Sequence, residues 1–407
     1  MTMSEKRSFV AILCPICFIL NMQSQATYSP YSMLGLGEIE NKDYGRTAGM
    51  ADIGIGVREF DYLNAINPAG ISGLDSLKFI FDISASGKYS YFTEKGKTDN
   101  TINGNLKKIS LGFRLMPGWG ISLGIKPFSD TGYRIYSEEP IEGSTVTKAV
   151  YLEGSGGLYE LYLSNGFKIT DHFSIGINTK YISGVLKQTE NQSEYLFEKE
   201  SRVFRFYNTF GIQYHKQGLT LGAIYGYKQN ITMKNKTMVY DSEYNLEEEY
   251  NDRSTDQFIP ETFGVGFSQD NEKVIWGMDF RYQKWEGIES GVSSTKIVDS
   301  YRINAGLGYT PNGYRYYRIG NQGIRNQGQI QVGASFSKSY IQVGGENAYN
   351  YSVSLGYSFP VRSDLLNVTL EYGNALSAPT NYIKESYFML TFNYSFIDQW
   401  FKRREFD

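Results

Sequence analysis

From about Leu77 to Phe396 the chain keeps alternating an apolar or aromatic residue with a small or polar one. Tyr351, Val353, Leu355, Tyr357 and Phe359 alternate with Ser352, Ser354, Gly356 and Ser358. Val274, Trp276, Met278, Phe280 and Tyr282 form a second such row, and Tyr301, Ile303, Ala305, Leu307 and Tyr309 a third. A period of two puts each row on one face of a β-strand. The opposite faces carry Ser, Gly, Asn, Arg and Lys. A soluble sandwich turns its apolar faces inward, whereas a membrane barrel turns them outward to lipid and keeps the polar set inside. The 34 Tyr, 25 Phe and 43 Gly among 407 residues favour the second arrangement. Aromatic side chains form girdles at the membrane interfaces, and Gly suits crowded lumen faces and tight turns. The expected fold is all-β: a transmembrane antiparallel β-barrel of about 14 strands in the outer membrane of a Gram-negative bacterium.

The first 26 residues have the form of a secretory signal. Lys6 and Arg7 give a positive start, Phe9–Leu20 a short apolar core, and Ser24-Gln25-Ala26 a small-residue cleavage region. Cys14 and Cys17, the only cysteines, lie inside it, so the mature chain would hold no disulfide and no thiol nucleophile. Residues 27–76 do not alternate. They are rich in Gly, are broken by Pro30 and Pro68, and carry enough apolar residues, Leu34, Met50, Ile53, Ile55 and Val57 among them, to argue against disorder. We read them as an N-terminal hatch plugging the barrel of residues 77–396. Residues 397–407 make a periplasmic tail with the basic run Lys402-Arg403-Arg404, so both termini are expected on the periplasmic or lumenal side.

Fourteen strand candidates follow the hatch: 77–92, 104–116, 119–137, 149–169, 173–190, 200–215, 218–232, 256–268, 273–286, 298–310, 328–341, 347–360, 364–377 and 384–396. An even count suits single-chain bacterial barrels. Tight turns such as Met116-Pro117-Gly118 and Lys216-Gln217 alternate with longer polar stretches, 93–103, 138–148, 191–199, 233–255 and 287–297, expected as external loops. Residues 311–327 break that rule, leaving 12 or 16 strands as alternatives.

Catalysis finds no support. The only histidines, His172 and His215, fall at turns, away from any Ser or Asp constellation, and no metalloprotease, phosphate-loop or calcium-loop motif occurs. No cofactor or metal site is expected. The acidic stretch Asp241, Glu243, Glu247-Glu248-Glu249 and Asp252 reads as a solvated charge run. A net charge of −3 argues against nucleic acid as a partner. Asp279, Arg281, Arg302, Arg114 and Lys126 are expected to face the lumen, paired with one another or with the hatch.

Arg46–Leu74, RTAGMADIGIGVREFDYLNAINPAGISGL, resembles the start of the FadL/TodX family of outer-membrane transporters for long-chain fatty acids and hydrocarbons. The similarity rests on Gly45-Arg46-Thr47-Ala48-Gly49 and on the turn Asn67-Pro68-Ala69-Gly70. Ile259–Gly287, with a strand closing on Trp285, and Ser300–Asn312 are similar to later parts of the family. The resemblance implies a 14-stranded barrel, a hatch, and a kinked third strand that opens the wall sideways for a hydrophobic ligand. The third candidate strand has a physical basis for such a kink. Its alternation stops at Pro127, which lacks an N–H for the ladder, and Phe128, Ser129, Asp130, Thr131 and Gly132 follow. A strand ending at Phe128 in an external loop is the alternative. For Asn67, Pro68, Ala69 and Gly70, a fixed turn joining hatch to first strand stands beside direct ligand contact.

The function expected first is passive uptake of hydrophobic small molecules such as long-chain fatty acids, with outer-membrane lipids and the ligand as partners. The alternative is a non-transporting subunit of an outer-membrane protein secretion or β-barrel assembly complex. An apolar cavity favours the former, a filled lumen the latter.

Overall fold

The structure, a computed structural model, describes residues 29–94, 96–140, 147–192, 195–285, 295–311, 328–361, 364–377, 379 and 383–399. The expected signal segment (residues 1–26), the basic run of the expected tail and residues 312–327 lie outside them.

Fourteen antiparallel strands form a closed barrel. They are β1 (Lys78–Glu94), β2 (Lys97–Met116), β3 (Trp119–Pro140), β4 (Thr147–Lys168), β5 (Phe173–Asn191) and β6 (Tyr195–Lys216). β7 comprises Leu219–Gly226 and Gln229–Asp241, and β8 Leu246–Ile259 and Glu261–Asp270, interrupted at Pro260. Then come β9 (Val274–Lys284), β10 (Thr295–Ile297 and Ser300–Tyr309), β11 (Gln329–Val343), β12 (Glu346–Val361), β13 (Asp364–Ser377) and β14 (Lys384–Gln399). β14 closes on β1, from Lys384↔Thr93 to Gln399↔Lys78. The period-two sequence explains the wall: Leu355, Val353, Phe388, Leu370, Trp276 and Val265 are exposed outward, while Ser354, Asn393, Thr391 and Asp279 are buried inside.

Several expected boundaries move. Of the stretches read as external loops, 93–103 and 233–255 are largely strand, with turns at residue 96 and at 242–245. These segments are rich in charged and amide residues that blur the alternation, yet the ladder between neighbouring backbones continues through them. β3 and β4 reach 22 residues each, about twice the 9–11 needed to cross a bilayer. β14 also runs into the expected tail, since Ile397, Asp398 and Gln399 pair with Ile80, Phe79 and Lys78.

Residues 29–77 fold inside the barrel around three short 3₁₀ helices, Pro30–Met33, Ala48–Met50 and Pro68–Gly73, and a two-residue strand, Glu38–Ile39. Met50, Ile53, Ile55, Val57, Ala69 and Ile71 are fully enclosed. The hatch is bound around the circumference. Asp279 of β9 accepts from the Gly54 and Ile55 N–H groups at 2.6 and 2.9 Å. Gln213 of β6 donates to the Ile55 and Val57 carbonyls, Ser268 of β8 to Gly56, and Gln331 of β11 to Arg46. Nothing in an apolar wall could hold an irregular backbone this way; the polar half of each strand does so by satisfying its buried amides.

Candidate functional site

Three features compete for a functional role: the hatch turn, the wall beside Pro127, and the cavity between them.

Asn67 is extended (φ −118°, ψ 109°), as a residue before proline must be, and caps the 3₁₀ helix by accepting from the Ala69 N–H at 3.1 Å. Its amide donates to the Ile55 carbonyl at 2.8 Å and to Ile212 of β6 at 3.1 Å. Pro68, Ala69 and Gly70 are buried with it. Where this helix lies, the lumen wall presents Gly166, Gly176 and Gly211. A Cβ on Gly211 would fall 2.1 Å from the Asn67 Oδ1, and one on Gly176 2.4 Å from the Ala69 nitrogen. The turn is therefore a tight seat for the helix against β4, β5 and β6.

Beside Pro127 the wall changes. β2 and β3 pair from Met116↔Trp119 to Ile109↔Ile125, and among the described residues no further. β3 keeps its ladder to β4, with a bulge between Pro127 and Ser129. Phe128, Ser129, Thr131, Gly132 and Tyr133 are buried, so the strand has turned in over the lumen. Its free edge is taken by the hatch: Glu38 and Ile39 pair with Asp130 and Ser129. The Glu40 N–H donates to the Phe128 carbonyl at 2.9 Å, that of Ser29 to Gly132 at 2.8 Å, and the Ser129 hydroxyl to Leu36 at 2.6 Å. Behind the bulge Phe128 packs with Leu36, Leu158, Ile182, Val203, Ile231 and Ile259 in a filled apolar cluster.

The open space in the lumen is charged. A cavity of about 260 Å³ is lined by Glu38, Glu40, Lys42, Lys88, Lys107, Asp130, Arg281, Arg302 and Glu385, with Asn103, Tyr44 and Tyr387 between them. Lys107 bridges Glu40 at 2.9 Å, Lys88 bridges Glu385 at 2.6 Å, and Lys42 reaches Glu371 at 2.5 Å. Burial alone would raise the Glu40 carboxyl, but Lys107 and hydrogen bonds from Tyr44 and Lys107 outweigh it and hold it at about 2. A second, more open cavity of about 530 Å³ lies by Arg58, Glu59, Phe60, His215 and Asp270.

Four of the five lumen residues expected from parity, Asp279, Arg281, Lys126 and Arg302, are where alternation places them. Asp279 holds the hatch, Arg281 donates to the Asn41 carbonyl at 3.1 Å, Lys126 lies 3.6 Å from Glu160, and Arg302 lines the cavity. Two buried networks were not anticipated. Lys108 sits 3.0 Å from both Asp43 and Asp82, and Arg46 2.8 Å from both Glu59 and Asp61. Parity alone could have set Lys108 beside Asp82 on adjacent strands; nothing in the sequence could bring Asp43 to them. His215 bonds to Thr220 at 2.8 Å, and the exposed His172 ring lies 3.1 Å from the His215 carbonyl. Among the described residues no group of His, Cys, Asp or Glu is arranged to hold a metal.

A family model described as BamG matches residues 3–407. No curated protein matches the sequence. Solved structures share the fold at low identity. A Pseudomonas aeruginosa FadL homologue superposes with a TM-score of 0.62 at 12% identity, covering 90% of this chain and 100% of that one. The P. putida toluene transporter TodX gives 0.59 at 12%, covering 91% and 100%. The Ralstonia pickettii toluene transporter TbuX gives 0.56 at 12%, covering 84% and 96%.

Proposed function

The chain belongs to the BamG family, and from that premise we propose that it is a plugged barrel of the outer membrane serving as a docking subunit of a protein complex that inserts or secretes outer-membrane proteins. The observation that carries this reading is the filled lumen. Hatch backbone is bonded to β6, β8, β9 and β11, and the space left over is lined by charged pairs. An acyl chain or an aromatic hydrocarbon entering there would strip water from these charges and give nothing back. A rigid, closed body instead offers its outer surface, tall above the bilayer, to partners.

Passage of hydrophobic small molecules is the second reading. The broken ladder beside Pro127 favours it, as does the fold shared with solved structures titled as toluene transporters. Here Pro127, Phe128, Ser129, Asp130, Thr131 and Gly132 would border a sideways exit, and the turn at Asn67, Pro68, Ala69 and Gly70 would set the hatch that guards it.

Extraction of the tagged protein from its native membrane in mild detergent, followed by native mass spectrometry, separates the two. Docking predicts a protein partner in fixed stoichiometry. A chain that runs alone, with lipid or hydrocarbon held in the lumen, would replace the docking reading by transport.

A further inference from the structure

Beyond Ile109, β2 pairs with β1 as far as Glu94↔Lys97, but its other edge meets no strand among the described residues. β3 has swung inward, and the hatch strand completes β3 and leaves β2 open. A barrel closed along its whole height has no such edge; this one is closed below Ile109 only, and an unpaired edge is a template for another chain. Its two faces differ. Ile102 (60% exposed) and Leu106 (43%) point outward. Asn103 and Asn105 line the charged cavity. Asn103 is only 7% exposed, yet neither its Nδ2 nor its Oδ1 has a hydrogen-bond partner. A buried amide left wholly unmatched is costly, and its natural complement, a donor beside an acceptor, is another amide.

We propose that the free edge of β2, Thr98–Leu106, is a strand-addition site for an extended segment of a partner protein. The segment alternates apolar side chains, set beside Ile102 and Leu106 toward the membrane, with polar ones that reach Asn103 and Asn105. Alternating backbone donors and acceptors select a polypeptide; a hydrocarbon has nothing to offer them. The inference rests on the docking reading and gives the partner's form and its place of attachment.

The test uses the full chain in nanodiscs and a fluorescent nonapeptide alternating valine with asparagine. A second peptide carries N-methyl groups on every other amide, on the edge that would pair. The expected result is saturable one-to-one binding that slows hydrogen exchange of the alternate Thr98–Leu106 amides that point away from β1. The N-methylated peptide should bind at least tenfold more weakly. Asn103→Leu should weaken binding severalfold while the barrel keeps its heat-modifiable migration on gels. Equal binding of both peptides overturns the proposal, as does unchanged exchange of the Thr98–Leu106 amides that point away from β1, or protection of those free-edge amides before peptide is added. Displacement of the peptide by stoichiometric fatty acid also overturns it, by making the seam a lipid passage. The measurement uses the isolated chain, so absence of a native complex would sink the docking reading without deciding this one.

Discussion

Lys108 is fully enclosed, with its ammonium 3.0 Å from Asp43 of the hatch and from Asp82 of β1. Tyr62 donates to Asp43 at 2.8 Å, and Asn393 and Ser395 donate to Asp82. Such a network gains stability only while complete, because each remaining charge has lost its water. Lys108→Met should therefore cost the hatch-docked state about 3–5 kcal/mol. Limited proteolysis should show cleavage within residues 29–77 at denaturant concentrations where the parent is intact. Adding Asp43→Asn should recover part of the loss, a coupling that simple damage to packing would not produce.

At the scale of elements, alternation announced the strands wherever one face met lipid, and it failed where charged and amide residues crowd the segment. The hairpin of β7 and β8 illustrates the failure: Glu247, Glu248 and Glu249 read as a loop, yet Glu248 and Glu249 pair with Val239 and Met238. The 3₁₀ helix Pro68–Gly73 shows a local signal that was legible, since an Asn-Pro start sets both cap and backbone. Its seat against Gly176 and Gly211 was not, because those glycines lie more than a hundred residues away in the chain. Asn67→Ala removes a cap and two bonds that staple hatch to β6 and hatch to itself. We expect a loss of about 1–3 kcal/mol in hatch docking, read as faster leakage of small solutes from liposomes. Leakage equal to the parent's would show that this turn does not hold the plug.

For the whole molecule the hatch and barrel are coupled through charge, so docking depends on pH. Burial first, then Asp61 and Asp270, raises Glu59 to about 7 against the pull of Arg46. Burial, with Asp43 and Glu371, raises Asp52 to about 6 against Lys42. Free in solution, both groups lose their protons near pH 4 to 4.5, roughly. The docked hatch keeps them longer, so it binds more protons across that window and docking weakens as pH rises from about 4.5 to 7. Glu40 works in the opposite sense: held at about 2, it supports docking above its ordinary value and loses that support as pH falls toward 2. Hatch protection from protease should peak near pH 5, roughly, and fall on both sides; a flat profile between pH 5 and 8 would exclude Glu59 and Asp52 as contributors.

The sequence by itself determined the wall. A two-residue period is a local property, and fourteen such segments, closing on an aromatic terminal strand, leave a barrel with its oily side outward as the consistent solution. Pro127, which has no N–H to give, marked the stretch as irregular, while a wall defect and a strand ending at Phe128 stayed open as alternatives. What only the tertiary structure decided is how the lumen is filled and which edge is left bare. Asp43 meeting Lys108, Glu38 completing β3, and β2 standing open beside Asn103 all join residues remote in the chain. Such pairings follow from closure of the barrel around its hatch, and no periodicity records them.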